Sequence, residues 1–139
     1  MHYRAVETTG EYVARLETGA DWRREIESLA AEVEADAAWF TGLGSLRDAT
    51  VWFYDQDDRE YQPVSFDEPL EVAACVGNVS LLSGERFAHT HAVLSRADGT
   101  ALAGHLDAGE VFAGELYLRT FDEPLERSPD EATGLDCWL

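Results

Sequence analysis

Three of the chain's four histidines fall in the stretch "FAHTHAVLSRADGTALAGHL", residues 87–106: His89, His91 and His105. Alternate side chains of a β-strand share a face, so His89 and His91 lie on one side of "FAHTHAVL" with α-carbons about 6–7 Å apart, within reach of a common ion. Whether His105 joins them depends on the turn at "RADG". A three-residue loop, Ala97-Asp98-Gly99 with Gly99 left-handed, sets His105 directly opposite His91, and directly opposed residues share a face. A two-residue Asp98-Gly99 loop sets His105 opposite Ala92 and turns its ring away. Three neutral imidazoles with a fourth position open are a common arrangement for catalytic zinc, where a bound water is acidified. Two histidines on a half-buried strand also serve as plain hydrogen-bonding groups, so the H-x-H pair alone does not separate ligands from core residues. His2 lies outside this spacing and reads as an exposed residue.

The elements that must position these rings are mostly strands. "HYRAVE", "EYVARLE", "ATVWFYD", "REYQPVSF", "LEVAACVGNVSLL", "RFAHTHAVLS", "TALAGHL" and "EVFAGELYLRTF" combine β-branched and aromatic residues. Turn signals such as "DQDD", "SGE" and "ADG" separate them. One segment, "GADWRREIESLAAEVEADAAWF", repeats apolar residues at helical spacing, placing Trp22, Ile26, Leu29, Val33 and Ala37 on one face behind an Asp21 N-cap. Its other face, Arg23, Glu27 and Glu34, reads as solvated. "GLGS" at Gly42–Ser45 lacks the following helix and the Lys-Ser/Thr of a phosphate loop and reads as a tight bend between strands. The order predicts a single α+β domain over residues 1–121, a bent, mostly antiparallel sheet packed with one main helix. Residues 122–139 are acidic, carry two prolines and read as an irregular tail whose Trp138 and Leu139 either dock or stay exposed.

Charge bounds the partners. The chain holds 28 acidic and 10 basic residues for a formal net charge of −18, and every base is Arg. Aromatic content of 11% and regular apolar patterning argue against disorder. Such a Lys-free acidic surface suits a cytoplasm at molar salt, where the Debye length falls to about 3 Å. Cys75 and Cys137 fit no metal or redox motif and read as unpaired thiols. No stretch has signal-peptide or membrane-span character, which predicts a cytoplasmic protein without membrane contact.

"WFTGLGSLRDATVWFYD", "EPLEVAACVGNVSLL" and "HTHAVLSRADGTALAGHLDAGEVFAGELYL" together resemble the PPC (plants and prokaryotes conserved) domain, in order and spacing, over residues 2 to 121. The resemblance implies a helix against a strongly bent antiparallel sheet, assembly as a homotrimer, and a cluster of His89, His91 and His105 of the kind that can hold zinc in prokaryotic members. It also implies a fold similar to acetolactate decarboxylase, a zinc enzyme with an H-x-H pair and a further histidine. Ala103 stands where the family has the first Gly of Gly-Gly-His, a departure that matters only if that position needs a positive φ. Asn78 and Glu115 match positions where the family is often polar. Glu115 is the one catalytic candidate, as a partner of the ligands or a proton shuttle; its plain reading is an exposed strand residue.

Three functions follow. A metal-binding trimer would support lyase or hydrolase chemistry on a small polar ligand. DNA binding is a family association, but the chain has no Arg-Gly-Arg hook and its charge opposes phosphate contact. The third is a non-catalytic protein-interaction trimer.

Overall fold

Asp21 starts the helix and ties it to the sheet in one step. In the computed structural model, which describes residues 1–139, its Oδ1 accepts from the Arg24 N–H at 2.9 Å and its Oδ2 from the Gly109 N–H at 3.0 Å. Helix α1, Trp22–Glu32, buries Trp22, Ile26 and Ala30. It is shorter than its periodicity suggests. Glu34 turns to a φ of 54°, its N–H donates to Ala31 O and that of Ala35 to Ala30 O, which is the two-bond ending of a Schellman cap. Ala37 therefore lies beyond the helix, and Ala38–Leu46 form strand β2 rather than the last helical turn and a bend. "GLGS" sits inside that strand, at a register shift between Gly42 and Gly44. Gly44 has a φ of 152°, and a Cβ there would lie 2.2 Å from Ala113 O, so the bulge needs glycine.

The remaining strands are β1 Thr8–Leu16, β3 Ala49–Asp55, β4 Glu60–Phe66, β5 Leu70–Leu82, β6 Glu85–Ser95, β7 Ala101–Ala108, β8 Val111–Phe121, β9 Arg127–Pro129 and β10 Asp136–Trp138. Eight form one antiparallel sheet in the order β1-β8-β2-β5-β6-β7-β3-β4, so the α+β expectation is met. Residues 2–7 are not a strand; the sheet begins at Thr8. Register shifts at Thr8/Gly10, Gly42/Gly44, Ser45/Leu46, Thr50/Val51 and Val72/Ala74 bend the sheet, because each extra residue increases local twist. Pro63, which cannot donate to a ladder, lies on the edge strand β4.

The two faces of the sheet differ. Phe40, Val79, Leu94, Leu106 and Leu118 point to the helix side and join Trp22 and Ile26 in one core, each of them fully buried. On the other side, directly opposed residues run Val13, Tyr117, Thr41, Val76, His91, His105 and Trp52 across seven strands. None of the seven is buried. The tail is more ordered than its composition suggests. β9 pairs with β10, Leu125 is buried, and the Leu81 N–H donates to Leu125 O at 2.8 Å. Trp138 is half-buried while Leu139 is exposed. Both cysteines are free, Cys75 in the core with burial pushing its thiol up to about 11. No helix is long and apolar enough to cross a membrane.

Candidate metal centre

The β6–β7 turn has the length that brings the histidines together. The Arg96 N–H donates to Thr100 O at 3.0 Å and the Gly99 N–H to Arg96 O at 2.9 Å, with Gly99 at a φ of 83°. Ala97-Asp98-Gly99 is thus the loop, and Asp98 Oδ1 fixes it by accepting from the Thr100 N–H at 2.9 Å. His91 pairs with His105 across the hairpin, while His89 lies two residues along β6 and pairs with Asn78 on β5. Ring centroids are 5.1 Å apart for His89 and His91, 5.0 Å for His89 and His105, and 5.5 Å for His91 and His105. One nitrogen from each ring lies within 4.8 Å of the others.

These residues fit a metal ion. With Zn–N bonds of roughly 2.1 Å, tetrahedral ligation puts imidazole centroids about 5.2 Å apart, which the three separations bracket. His105 Nδ1 is buried with no hydrogen-bond partner, an arrangement that carries a cost unless something is bound. Burial is the main reason that His89 is held down to about 3, with Arg127 and the other two imidazoles adding to it. Burial likewise holds His105 down to about 4, followed by His91 and Arg23, with Asp107 opposing. Both rings are therefore neutral at pH 7, the form that ligates a metal.

The cluster lines a cavity of about 640 Å³ whose other walls include Trp52, Tyr61, Phe87, Arg23 and Arg127. The Tyr61 ring is 5.7 Å from that of His105, and Phe87 stacks on His89 at 6.4 Å. Arg23, expected on the solvated helix face, is only 13% exposed; it donates to Asp107 O at 3.0 Å and its Cζ lies 5.4 Å from the Phe87 ring. Glu27 is equally buried and accepts from the Ala88 N–H at 3.1 Å. The solvated-face reading fails for Arg23 and Glu27 because the helix lies against β6 and β7 along this side as well, and holds for Glu34, which is exposed.

Arg127 is the residue that sequence reasoning missed. Its Nε donates to Ser80 Oγ at 2.8 Å, one terminal nitrogen to Asp136 O at 2.9 Å, and the other to Asn78 Oδ1 at 2.8 Å while lying 3.2 Å from His89 Nδ1. Asn78 is thereby accounted for as a buried acceptor beneath the site. The only signal for Arg127 in the sequence was a lone base in an acidic tail. Glu115 is exposed on β8, opposite Arg15 and Leu43, in a separate groove with Val13, Thr41 and Tyr117, and does not line the histidine cavity. Ala103 is exposed without a positive φ, so the Ala for Gly exchange costs nothing in backbone strain. His2 is exposed and distant in sequence from the cluster.

A helix on a bent antiparallel sheet, with three histidines converging on the open face, defines a class of small domain able to ligate one ion. The chain belongs to the Plants and Prokaryotes Conserved (PCC) domain family, whose pattern it matches over residues 3–122. A metal-containing protein from Archaeoglobus fulgidus is 37% identical, with a TM-score of 0.95 over 100% of this chain and 99% of that one. A plant- and prokaryote-conserved protein from Pyrococcus horikoshii is 28% identical, with a TM-score of 0.94 over 100% and 97%. A Bacteroides thetaiotaomicron protein named for a suggested DNA-binding role shares the fold at 22% identity, TM-score 0.86, over 96% of each chain. The fold likeness extends to acetolactate decarboxylase from Bacillus subtilis at 10% identity and a TM-score of 0.55, over 88% of this chain and 57% of that one. No functionally curated protein matches the sequence.

Proposed function

We propose that this chain is a metal-binding protein in which His89, His91 and His105 hold one divalent ion, zinc in the first instance, within a homotrimer. The observation that carries the reading is the convergence of three imidazole nitrogens within 4.8 Å on the wall of a cavity. The likeness to a metal-containing archaeal protein at 37% identity supports it. A divalent ion at such a site supplies Lewis acidity and acidifies a bound water. The chain's own residues do the rest: burial keeps His89 and His105 neutral, and Trp52, Tyr61 and Phe87 give the cavity an aromatic wall. Lyase or hydrolase chemistry on a small polar molecule is the reaction class this arrangement supports.

Self-association is supported by the apolar residues left open on the histidine face. Val13 is 86% exposed, Leu43 55% and Trp39 43%, with Val76 and Val93 beside His91. The DNA-binding name of one relative finds no support in the charge of −18. Elemental analysis after zinc supplementation tests the metal reading: about one ion per chain is expected for the wild type and none for His89→Ala or His105→Ala. Wild type without stoichiometric metal, or variants that carry as much, would refute it. Native mass spectrometry tests the trimer.

A further inference from the structure

We propose that the cavity receives a small organic carboxylate, bound jointly by the metal and by Arg127, and that Arg127 becomes available when His89 commits to the ion. The inference rests on the metal reading and deepens it.

The first ground is charge. Three neutral imidazoles bring no negative charge to a divalent ion, and Arg127 adds a further positive one. The ion pairs of the molecule involve Arg23, Arg24, Arg47, Arg86, Arg96 and Arg119 but not Arg127, whose partners are all neutral oxygens and a ring nitrogen. Asp107, one of the two wall carboxylates, is engaged by Arg23, and the other, Asp136, acts on Arg127 only at longer range. Arg59, also on the wall and outside any ion pair, holds the Glu131 and Ala132 carbonyls. In a chain with a net charge of −18, this wall sets three guanidiniums, those of Arg23, Arg59 and Arg127, against two carboxylates, those of Asp107 and Asp136, and a divalent ion adds to the excess of positive charge.

The second ground is hydrogen-bond capacity. A guanidinium has five N–H groups. Ser80 Oγ, Asp136 O, Asn78 Oδ1 and His89 Nδ1 take four of them, which leaves one. The fourth bond requires a lone pair on His89 Nδ1. If His89 ligates through Nε2, Nδ1 carries the ring proton and faces Arg127 donor to donor; if it ligates through Nδ1, the lone pair is committed to the ion. In both cases Arg127 recovers an N–H and has two to give, which is what a carboxylate takes from a guanidinium.

The third ground is the lining. Trp52, Tyr61, Phe87 and Leu135 give a hollow of about 640 Å³ an apolar wall that inorganic phosphate would leave unused. This favours an organic anion of some bulk over a bare oxyanion.

Isothermal titration calorimetry of the zinc-loaded protein with benzoate, its neutral isostere benzamide, and inorganic phosphate tests the proposal, with zinc content measured first. Benzoate is expected to bind, benzamide not detectably, phosphate at least tenfold more weakly than benzoate. Arg127→Gln is expected to keep its zinc and lose tenfold or more in benzoate affinity, and Arg127→Lys to recover part of it. In cobalt-substituted protein, benzoate is expected to shift the visible ligand-field bands of the wild type and, at the same concentration, to shift those of Arg127→Gln far less. Equal benzoate affinity in Arg127→Gln, equal binding of benzamide, tighter binding of phosphate, or unchanged cobalt bands at saturating benzoate overturns the proposal while leaving the metal reading intact. Absence of zinc from the wild type overturns both, and registers before any titration begins.

Discussion

Gly77→Ala should break the support of the histidine cluster from behind. Gly77 lies on β5 between Phe40 of β2 and Thr90 of β6, next to the Asn78–His89 pair. A Cβ built there would lie 2.1 Å from His89 O and 2.4 Å from the Phe40 ring. Ordinary carbon contacts are about 3.5–4.0 Å, so an overlap above about 1 Å must be relieved by backbone or by a ring that has no room to move. Phe40 is 0% exposed. Overpacking of this kind costs about 1–3 kcal/mol, and parting β5 from β6 forfeits a ladder hydrogen bond worth about 1 kcal/mol more. The entropy that Ala removes from the unfolded chain returns less than about 1 kcal/mol. A net loss of about 2–3 kcal/mol lowers the melting temperature by roughly 10 °C in a domain of this size. Thermal unfolding followed by circular dichroism reads the loss, and a chelator competition reads the accompanying fall in zinc affinity as the His89 backbone shifts. Gly104→Ala is the control, because its Cβ would meet Val51 Cβ at 3.1 Å and Trp52 O at 3.2 Å, a few tenths of an ångström from comfort. A Gly77→Ala melting point within about 2 °C of wild type, or a larger loss in Gly104→Ala, would refute the steric reasoning.

The metal-free protein should lose stability on mild acidification through the cluster. His89 and His105 are held to about 3 and about 4 when folded, whereas unfolded imidazole takes its proton near pH 6.5. Their contribution is fully present above about pH 6.5 and is lost as pH falls towards 4; solvent contact at both rings limits the sum to about 1–2 kcal/mol. Urea midpoints from pH 7 to 4.5 for the wild type and a His89→Ala/His105→Ala variant isolate it, and parallel slopes would count against it. Asp21→Ala removes acceptors for both the Arg24 and Gly109 N–H groups and should cost about 1–2 kcal/mol, with Asp21→Asn retaining part, as read by thermal unfolding.

The hairpin was legible in part because its signals are local: alternation fixed the face of His89 and His91, while "RADG" allowed two loops, of which the structure has the three-residue one that sets His105 opposite His91. β2 was not, since its glycines resemble a bend and the apolar spacing of α1 runs on through Ala37 and Phe40 with no Pro or Gly to stop it. The actual stop is Glu34 in a left-handed conformation, which local propensity does not announce. Arg127 was missed, and Arg23 assigned to the solvent, for a different reason. Their roles come from contacts with residues 47 and 84 positions away in sequence, Ser80 and Asp107, and no periodicity encodes a pairing of that range. Asn78 was noted, but its purpose needed the tail to be seen.

The tail also divides responsibility within the molecule. The family pattern ends at residue 122, and all three histidines precede it, whereas Arg127, Leu135 and Cys137 of the same cavity follow it. The tail is fastened by a small number of bonds, among them Leu81 to Leu125, Tyr54 to Thr133 and Arg127 to Ser80 and Asn78. On the proposed reading, the residues that would hold the ion lie inside the family pattern, whereas the guanidinium that would meet the carboxylate lies beyond it. If that reading holds, exchanging the terminal hairpin for another sequence would alter one wall of the cavity and leave the histidines where they stand.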